Sequence, residues 1–200
     1  MFLFSYKEDD LSSSGNNSCN IVLVAKEFFE EHSHYAEMLD PNDVDKQSRR
    51  CYEFVSFKYN NNNILVPLRS NIPNMSKLGK IGYKLPSTTR PNAGLDYRKI
   101  LIVNDSKHII KPTSVNIPNS QTSVIVKDKN KIEKEVQSYI KGYIRAVEKG
   151  RATKDSKYKY STLCNFHKEL GIESDVAEAA ITKAFNAEED AAIDCDNNEK

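Results

Sequence analysis

An arginine and a serine stand together where an apolar segment of this sequence ends. Residues 64–68 read Ile-Leu-Val-Pro-Leu and are followed directly by Arg69 and Ser70. Such a segment is typical of a strand, and its end presents a planar, permanently charged guanidinium beside a small hydroxyl. That pair suits a phosphate diester, because a guanidinium can bind two phosphate oxygens at once. The alternative is a surface arginine next to a turn serine, and the pair alone does not decide between the two.

The charge of the chain is sorted along its length, although the formal net charge is only +1. The cations between residues 56 and 111 are Lys58, Arg69, Lys77, Lys80, Lys84, Arg90, Arg98, Lys99, Lys107 and Lys111. Only Asp96 and Asp105 oppose them, whereas residues 1–55 and 173–200 carry an excess of acids. A basic centre between acidic ends indicates a site for a polyanion such as RNA. The alternative is a solvated surface on which the cations cluster by accident.

The composition divides the chain into three parts. Residues 1–20 are polar and turn-rich, which predicts a flexible N-terminal extension, and residues 21–172 hold the apolar segments of one folded domain. Residues 173–200 predict a helix followed by a disordered acidic tail. No segment reaches the roughly 20 apolar residues that cross a bilayer, and the scattered cysteines predict reduced thiols in a cytoplasmic protein.

The periodicity of apolar residues predicts a mixed α and β domain. A strand at residues 21–24 leads into helical spacing as far as Leu39, and two apolar segments joined by four asparagines at 60–63 predict a β-hairpin. Further strands are predicted at 80–85 and 97–103, joined by a long basic loop at 86–94, and helices at 130–149 and 162–170. Loops of that kind on a rigid sheet commonly carry function.

Other candidate residues lie outside the arginine–serine pair. Tyr158 beside Lys157 suits a strip that stacks on bases and binds phosphates, with a solvated linker as the equal alternative. His34 and His167 are candidate proton carriers, although single histidines on helices are more often surface or core residues. No P-loop, dinucleotide-binding glycine motif, zincin motif or nucleophile-elbow motif occurs, so those enzyme classes lack their residues.

Several segments, taken in order, resemble the toxins of bacterial type III toxin–antitoxin systems, especially the TenpN group and more distantly the ToxN and AbiQ proteins. The segments read KEFF at residues 26–29, HSH at 32–34, LD at 39–40, VPLRSNI at 66–72, GLDYRK at 94–99 with LI at 101–102, YI at 139–140, YIRAVEK at 143–149 and TLCNFHKELGI at 162–172. Each is short, but together they span roughly residues 21–172. Their order is what makes the combination specific.

The resemblance implies an α+β fold, in which helices pack around a strongly bent antiparallel sheet related to the partial barrel of MazF- and Kid-like toxins. It also implies a metal-independent endoribonuclease without a cofactor, which cuts adenine-rich single-stranded RNA. The implied partner is an antitoxin RNA of pseudoknotted repeats, which can form a cyclic assembly with the toxin, and neither DNA nor a membrane is expected.

By the same resemblance, Ser70 corresponds to the active-site serine, with Arg69 its neighbour and Lys84 a lysine after the next strand. The expected RNA-binding residues are Lys26, Asn71, Lys77, Arg90, Arg98, Lys99, Lys157 and Tyr158. Asn71 stands where the TenpN toxins have histidine, so the resemblance leaves the proton-transfer group unassigned. Two other functions stay open, namely an RNA-binding module without catalysis and a barrel-type toxin that acts on a protein.

Overall fold

The fold was obtained as a computed structural model that describes residues 20–76 and 79–172, without the side chains of residues 54–58. The strands are β1 Ile21–Val24, β2 Tyr52–Tyr59, β3 Asn62–Arg69, β4 Gly82–Lys84, β5 Gly94–Asp96, β6 Leu101–Ile102 and β7 Ile109–Ile110. The helices are α1 Lys26–Glu31, α2 Val44–Ser48, α3 Asn119–Lys127, α4 Lys129–Glu148 and α5 His167–Leu170. Short 3₁₀ turns occupy Tyr97–Lys99, Ser106–His108 and Thr162–Asn165.

In the described part of the chain the strands form one open antiparallel sheet. Its order is β4-β5-β3-β2-β1-β7, and β6 pairs with β3 on the same side as β5. The partner of β3 changes from β6 at Leu65 to β5 at Leu68, because the 3₁₀ turn at residues 97–99 separates β5 from β6. The expected α+β class with an antiparallel sheet is therefore confirmed.

The central hairpin forms as the sequence predicts. Tyr52 of β2 pairs with Pro67 of β3, and Tyr59 pairs with Asn62 at the turn. Asn60 and Asn61 have φ values of 49° and 64°. Asparagine tolerates this left-handed region, and two such residues in succession match the two-residue turn that joins twisted strands.

Helix α4 is the longest of the described elements and covers the sheet with an apolar stripe. Its buried residues are Ile132, Val136, Tyr139, Ile140, Tyr143, Ala146 and Val147. They recur at intervals of three and four, which is the spacing of one helix face. The predicted helix at 130–149 is therefore correct to within one residue at each end.

Three sequence expectations are not met in full. The helix expected at 162–170 is a 3₁₀ turn at Thr162–Asn165 followed by α5 at His167–Leu170. In the other two cases tertiary contacts override the local pattern. The helix expected to run to Leu39 ends at Glu31, and both the N–H and the C=O of Ala36 are instead bonded by the side chain of Asn165. The strand expected at 97–103 begins with a 3₁₀ turn, because the Asp96 carboxylate accepts a hydrogen bond from the backbone N–H of Arg98. Helices α2 and α3 carry too little periodicity to be predicted, and the helix and tail expected after residue 172 lie outside the described residues.

Burial of His167 is expected to make the stability of the domain sensitive to acid. Its Nε2 lies 2.9 Å from the Tyr143 hydroxyl, and burial lowers its pKa below the ordinary 6.5. The unfolded chain therefore takes up a proton first as the pH falls, so stability that is fully present above pH 6.5 is lost below it. We expect the free energy of unfolding to fall between about pH 7 and pH 5 by less in His167→Gln than in the wild type.

Urea denaturation at each pH measures this difference, and His34→Gln is the matched control because His34 is exposed. Equal pH dependence in His167→Gln and the wild type would show that His167 does not contribute to acid sensitivity.

Candidate active site

Strands β3 and β4 end, and β5 begins, in one row at the same end of the sheet. Arg69, the last residue of β3, pairs with Gly94 of β5, and Gly94 pairs in turn with Lys84, the last residue of β4. Directly opposed residues project to the same face, and two strand spacings place the Cα atoms of Arg69 and Lys84 about 10 Å apart. The middle position is a glycine, so no side chain stands between the two cations.

Gly94 is required by the close approach of β4. A Cβ atom at this position would lie 2.1 Å from the carbonyl oxygen of Tyr83, and one at Gly82 would lie 2.5 Å from that of Leu95. Backbone atoms cannot move aside as a side chain can. A side chain at Gly94 would therefore push away the strand that carries Lys84.

A buried carboxylate holds the guanidinium of Arg69. Asp96 has no exposed surface, and its Oδ2 accepts a hydrogen bond of 2.7 Å from Arg69 Nη1. The same carboxylate accepts bonds from Arg98 Nε at 3.1 Å and Arg98 Nη2 at 3.3 Å. Arg69 makes no other side-chain hydrogen bond to the described residues, and 22% of its side chain is exposed. One end of the fork is thus fixed, and its Nε and Nη2 remain able to bind a phosphate.

Ser70 and Asn71 follow β3 and are exposed. Among the described residues, no group hydrogen-bonds to the Ser70 hydroxyl. Asn71 Oδ1 accepts a bond of 3.2 Å from Asn92 Nδ2, and the N–H of Ile72 donates to the carbonyl of Asn92 at 2.9 Å. The loop between β4 and β5 is therefore tied to the segment that carries the serine.

Arg90 lies in that same loop and is exposed. Its N–H donates to Ser87 Oγ at 3.1 Å, and its carbonyl accepts from the N–H of Ala93 at 3.0 Å. These bonds fix the backbone of the loop and leave the guanidinium in solvent. Asn92, two residues after Arg90, is bonded to Asn71 and Ile72, so the loop brings Arg90 close to the Arg69–Lys84 row. Arg90 is therefore a candidate phosphate contact.

Lys26 lies at the same end of the sheet, because β1 and β3 are both antiparallel to β2 and Lys26 follows β1 by two residues. Its Nζ is 3.0 Å from Asp45 and 3.8 Å from Glu30, and about half of the side chain is exposed. The hydrogen bond from Lys26 to Asp45 raises the pKa of Lys26. Lys26 would have to exchange Asp45 for a phosphate in order to bind RNA.

Two basic residues that the sequence assigns to RNA binding are used inside the fold. Arg98 is 4% exposed, and its side chain is bonded to Asp96, so it presents no surface to a ligand. Lys99 Nζ donates to the carbonyls of Glu37 and Tyr160 at 2.6 and 2.8 Å and lies 3.2 Å from the Glu37 carboxylate. Burial lowers the pKa of Lys99. Arg98 therefore binds a buried carboxylate, and Lys99 links two distant segments of the chain, at residues 37 and 160.

The stacking role expected of Tyr158 does not fit its position. The ring is 6% exposed and packs against Tyr139 and Tyr143, with its hydroxyl directly over Gly142 of α4. A small residue at 142 makes room for this ring, which explains its burial. Lys157 remains partly exposed. Lys77 lies outside the described residues.

Asp96 is the functional candidate that sequence reasoning misses. It is one of only two acids between residues 56 and 111, and this isolation among cations is the signal that could have indicated it. Its role depends on bringing Arg69 and Arg98 together, which only the register of β3 and β5 reveals.

Two of the histidines are bonded within the fold. His32 Nδ1 lies 2.7 Å from the carbonyl of Phe28, and buried His108 lies 3.3 Å from Glu31.

Within residues 20–76 and 79–172, no three His, Cys, Asp or Glu side chains are grouped so as to hold a metal ion. Cys51 and Cys164 are unpaired, and none of the described helices is long and apolar enough to span a bilayer.

The fold has counterparts among solved structures. It is similar to AbiQ, a lactococcal anti-phage endoribonuclease of a type III toxin–antitoxin system, with a TM-score of 0.56 and 18% sequence identity over 79% of this chain and 99% of that one. The resemblance that the sequence indicates is thereby confirmed for the fold.

Two further structures are similar at lower scores. One comes from a bacterial type III system in which a non-coding RNA pseudoknot inhibits the toxin, with a TM-score of 0.47, 17% identity and coverage of 60% of this chain and 76% of that one. The other comes from an antiviral system regulated by a processed non-coding RNA, with a TM-score of 0.49, 14% identity and coverage of 70% and 93%. No protein-family model matches the chain, and no curated protein matches it.

Proposed function

We propose that this chain is the endoribonuclease toxin of a type III toxin–antitoxin system. The observation that carries the proposal is the anchored fork of Arg69, which lies beside the exposed Ser70 and shares one face of the sheet with Lys84. The AbiQ-like fold supports it, since AbiQ is an endoribonuclease.

The proposed reaction is attack by the 2′-hydroxyl of the RNA on its own phosphodiester. The 2′-oxygen forms a bond to phosphorus as the bond to the 5′-oxygen breaks, so the products are a 2′,3′-cyclic phosphate and a 5′-hydroxyl. One proton leaves the 2′-oxygen and one joins the 5′-oxygen. Arg69 and Lys84 would stabilise the charge on the phosphoryl oxygens, and Ser70 would donate a hydrogen bond to one of them. None of these contacts to the phosphoryl group requires a metal ion.

The finer parts of the proposal concern substrate and partner. The substrate is single-stranded, adenine-rich RNA, and the inhibitor is a repeated, structured antitoxin RNA that can form a cyclic assembly with the toxin. The cationic segment at residues 56–111 supports a polyanionic partner. The similarity to AbiQ supports the class of system, since AbiQ belongs to a type III toxin–antitoxin system.

Incubation of the purified chain with mixed RNA in EDTA tests the proposal. We expect cleavage with 2′,3′-cyclic phosphate ends, and Ser70→Ala should slow it by about 100-fold or more, because the hydrogen bond to the transition state is removed. Binding of antitoxin RNA should change little, since one hydroxyl adds little to an electrostatic interface. Single-turnover rates and mapping of the RNA ends measure these outcomes.

Ser114→Ala is the matched control, because Ser114 is exposed on a loop outside the Arg69–Lys84 row. Full activity of Ser70→Ala would remove this serine from the site.

A non-catalytic RNA-binding module is the second candidate. Two observations favour it: the Ser70 hydroxyl is bonded to none of the described side chains, and Asn71 cannot exchange protons as histidine does. Intact RNA together with salt-sensitive binding would identify this function. Absence of any RNA binding would indicate instead a toxin that acts on a protein.

A further inference from the structure

A basic groove lies beside helix α4, separate from the Arg69–Lys84 row. It has a volume of about 550 Å³, within the range of ligand sites in proteins. Its lining residues are Lys80, Asn130, Lys131, Lys134, Glu135, Ser138, Tyr139 and Lys157. The lining contains four lysines and one glutamate, so it is basic and suits a ligand that carries several phosphates.

The helix presents its part of the lining on a single face. Lys131, Lys134 and Ser138 follow one another at intervals of three and four residues, so they project to the same side. On the opposite wall, Lys80 Nζ lies 3.1 Å from the carboxylate of Glu135, which also accepts a hydrogen bond from the Tyr97 hydroxyl at 3.2 Å. The single acid is therefore engaged, and the other lysines are not neutralised by it.

Tyrosine rings support two of these ammonium groups. Lys131 Nζ lies 5.3 Å from the centre of the Tyr83 ring, and Lys157 Nζ lies 5.3 and 5.8 Å from the rings of Tyr158 and Tyr139. Such cation–π contacts hold an ammonium in place without cancelling its charge. The charges are therefore directed along the walls of the groove and remain available to an anionic ligand.

The groove lies within reach of a strand bound at the Arg69–Lys84 row. Lys80 and Lys84 are separated by the three residues between them, so their Cα atoms are at most about 14 Å apart. Strand β4, which carries this connection, is at the edge of the described sheet. A single nucleic-acid strand that crosses β4 could therefore contact both places.

We propose that this groove binds the phosphate backbone of single-stranded RNA beyond the segment that is cut. The inference rests on the proposed function and adds a second contact region to it. Separate lysine ammonium groups along an open groove suit successive phosphates of a flexible chain, since each acts as a point charge and none imposes a fixed geometry. The groove contributes affinity and a preference for longer RNA, and takes no part in bond breaking.

The test compares two RNAs, of about 2 and about 16 nucleotides, because a dinucleotide carries a single bridging phosphate, which the Arg69–Lys84 row binds, and only the longer RNA can contact the row and the groove together. Binding is measured over a salt series in a Ser70→Ala background, with and without Lys131→Gln and Lys134→Gln. We expect the groove variant to bind the longer RNA more weakly, with a salt slope lower by about 0.7 for each phosphate that the variant no longer neutralises. Binding of the shorter RNA should be unchanged.

The matched control is the pair Lys141→Gln and Arg145→Gln, which removes the same charge from exposed positions of α4 outside the groove. Equal weakening in both pairs, or none in the groove variant, would overturn the inference while leaving the proposed function intact. Tighter binding by the groove variant would also overturn it, since the groove would then hold a competitor such as the acidic C-terminal segment. If the chain binds neither RNA, the proposed function itself fails.

Discussion

Arg69→Lys is expected to reduce RNA cleavage by about 100-fold while leaving most of the RNA affinity in place. The guanidinium of Arg69 bonds Asp96 through Nη1 and keeps Nε and Nη2 for a phosphate. A lysine ammonium keeps the charge but cannot hold the carboxylate and form a two-point contact to a phosphate at the same time. Single-turnover rates and dissociation constants on one RNA separate the two effects.

Arg145→Lys is the control for this substitution, because Arg145 is an exposed arginine on α4 outside both the Arg69–Lys84 row and the groove. Its cleavage rate should match the wild type. If Arg69→Lys weakened binding and cleavage in equal proportion, Arg69 would be an ordinary phosphate contact and the active site would lie elsewhere.

Asp96→Asn is expected to lower the free energy of unfolding by about 3–5 kcal/mol, because it leaves a buried charge without its partner. Arg98 is 4% exposed and Asp96 is fully buried, so water cannot replace the missing carboxylate. Asparagine has nearly the same shape, and the destabilisation can therefore be assigned to the charge and not to a cavity. Urea denaturation of both proteins measures the difference.

Asp105→Asn provides the matched comparison. Asp105 also accepts a hydrogen bond from the N–H two residues ahead, at 3.0 Å, but its side chain is 53% exposed. Its replacement should lower the free energy of unfolding much less than that of Asp96, since an exposed cap and an exposed ion pair contribute little. Equal destabilisation at the two positions would show that the buried charge of Asp96 contributes nothing beyond the cap.

The sequence predicts those parts of the fold that depend on neighbours along the chain. The asparagines at 60 and 61 tolerate the left-handed turn, and the stripe from Ile132 to Val147 defines α4, so both elements could be located in advance. The end of α1 could not, because the side chain of Asn165, more than a hundred residues away, binds the backbone of Ala36. A contact of that range leaves no mark on local periodicity.

The residues of the candidate site likewise fall into those that the sequence predicts and those that only the fold reveals. Arg69 and Ser70 follow from a strand end, whereas the placement of Lys84 on the same face follows only from the pairing of β3, β5 and β4. Exposure is the hardest property to predict, since Tyr158 and Arg98 have surface-like sequence neighbours and are nevertheless buried. Their burial depends on Gly142 and Asp96, which lie under them in the fold.

The short segment Gly94-Leu95-Asp96 combines two constraints that act on different atoms. The backbone of β4 excludes any side chain at residue 94, and two guanidinium groups require a carboxylate at residue 96. A side chain at residue 94 would collide with the backbone of β4, and a neutral residue at 96 would leave two guanidinium groups without their carboxylate, so we expect both positions to change less than the rest of the chain. Glycine, a buried apolar residue, then aspartate, following an arginine–serine strand end, is therefore a signature by which distant proteins with the same site could be recognised.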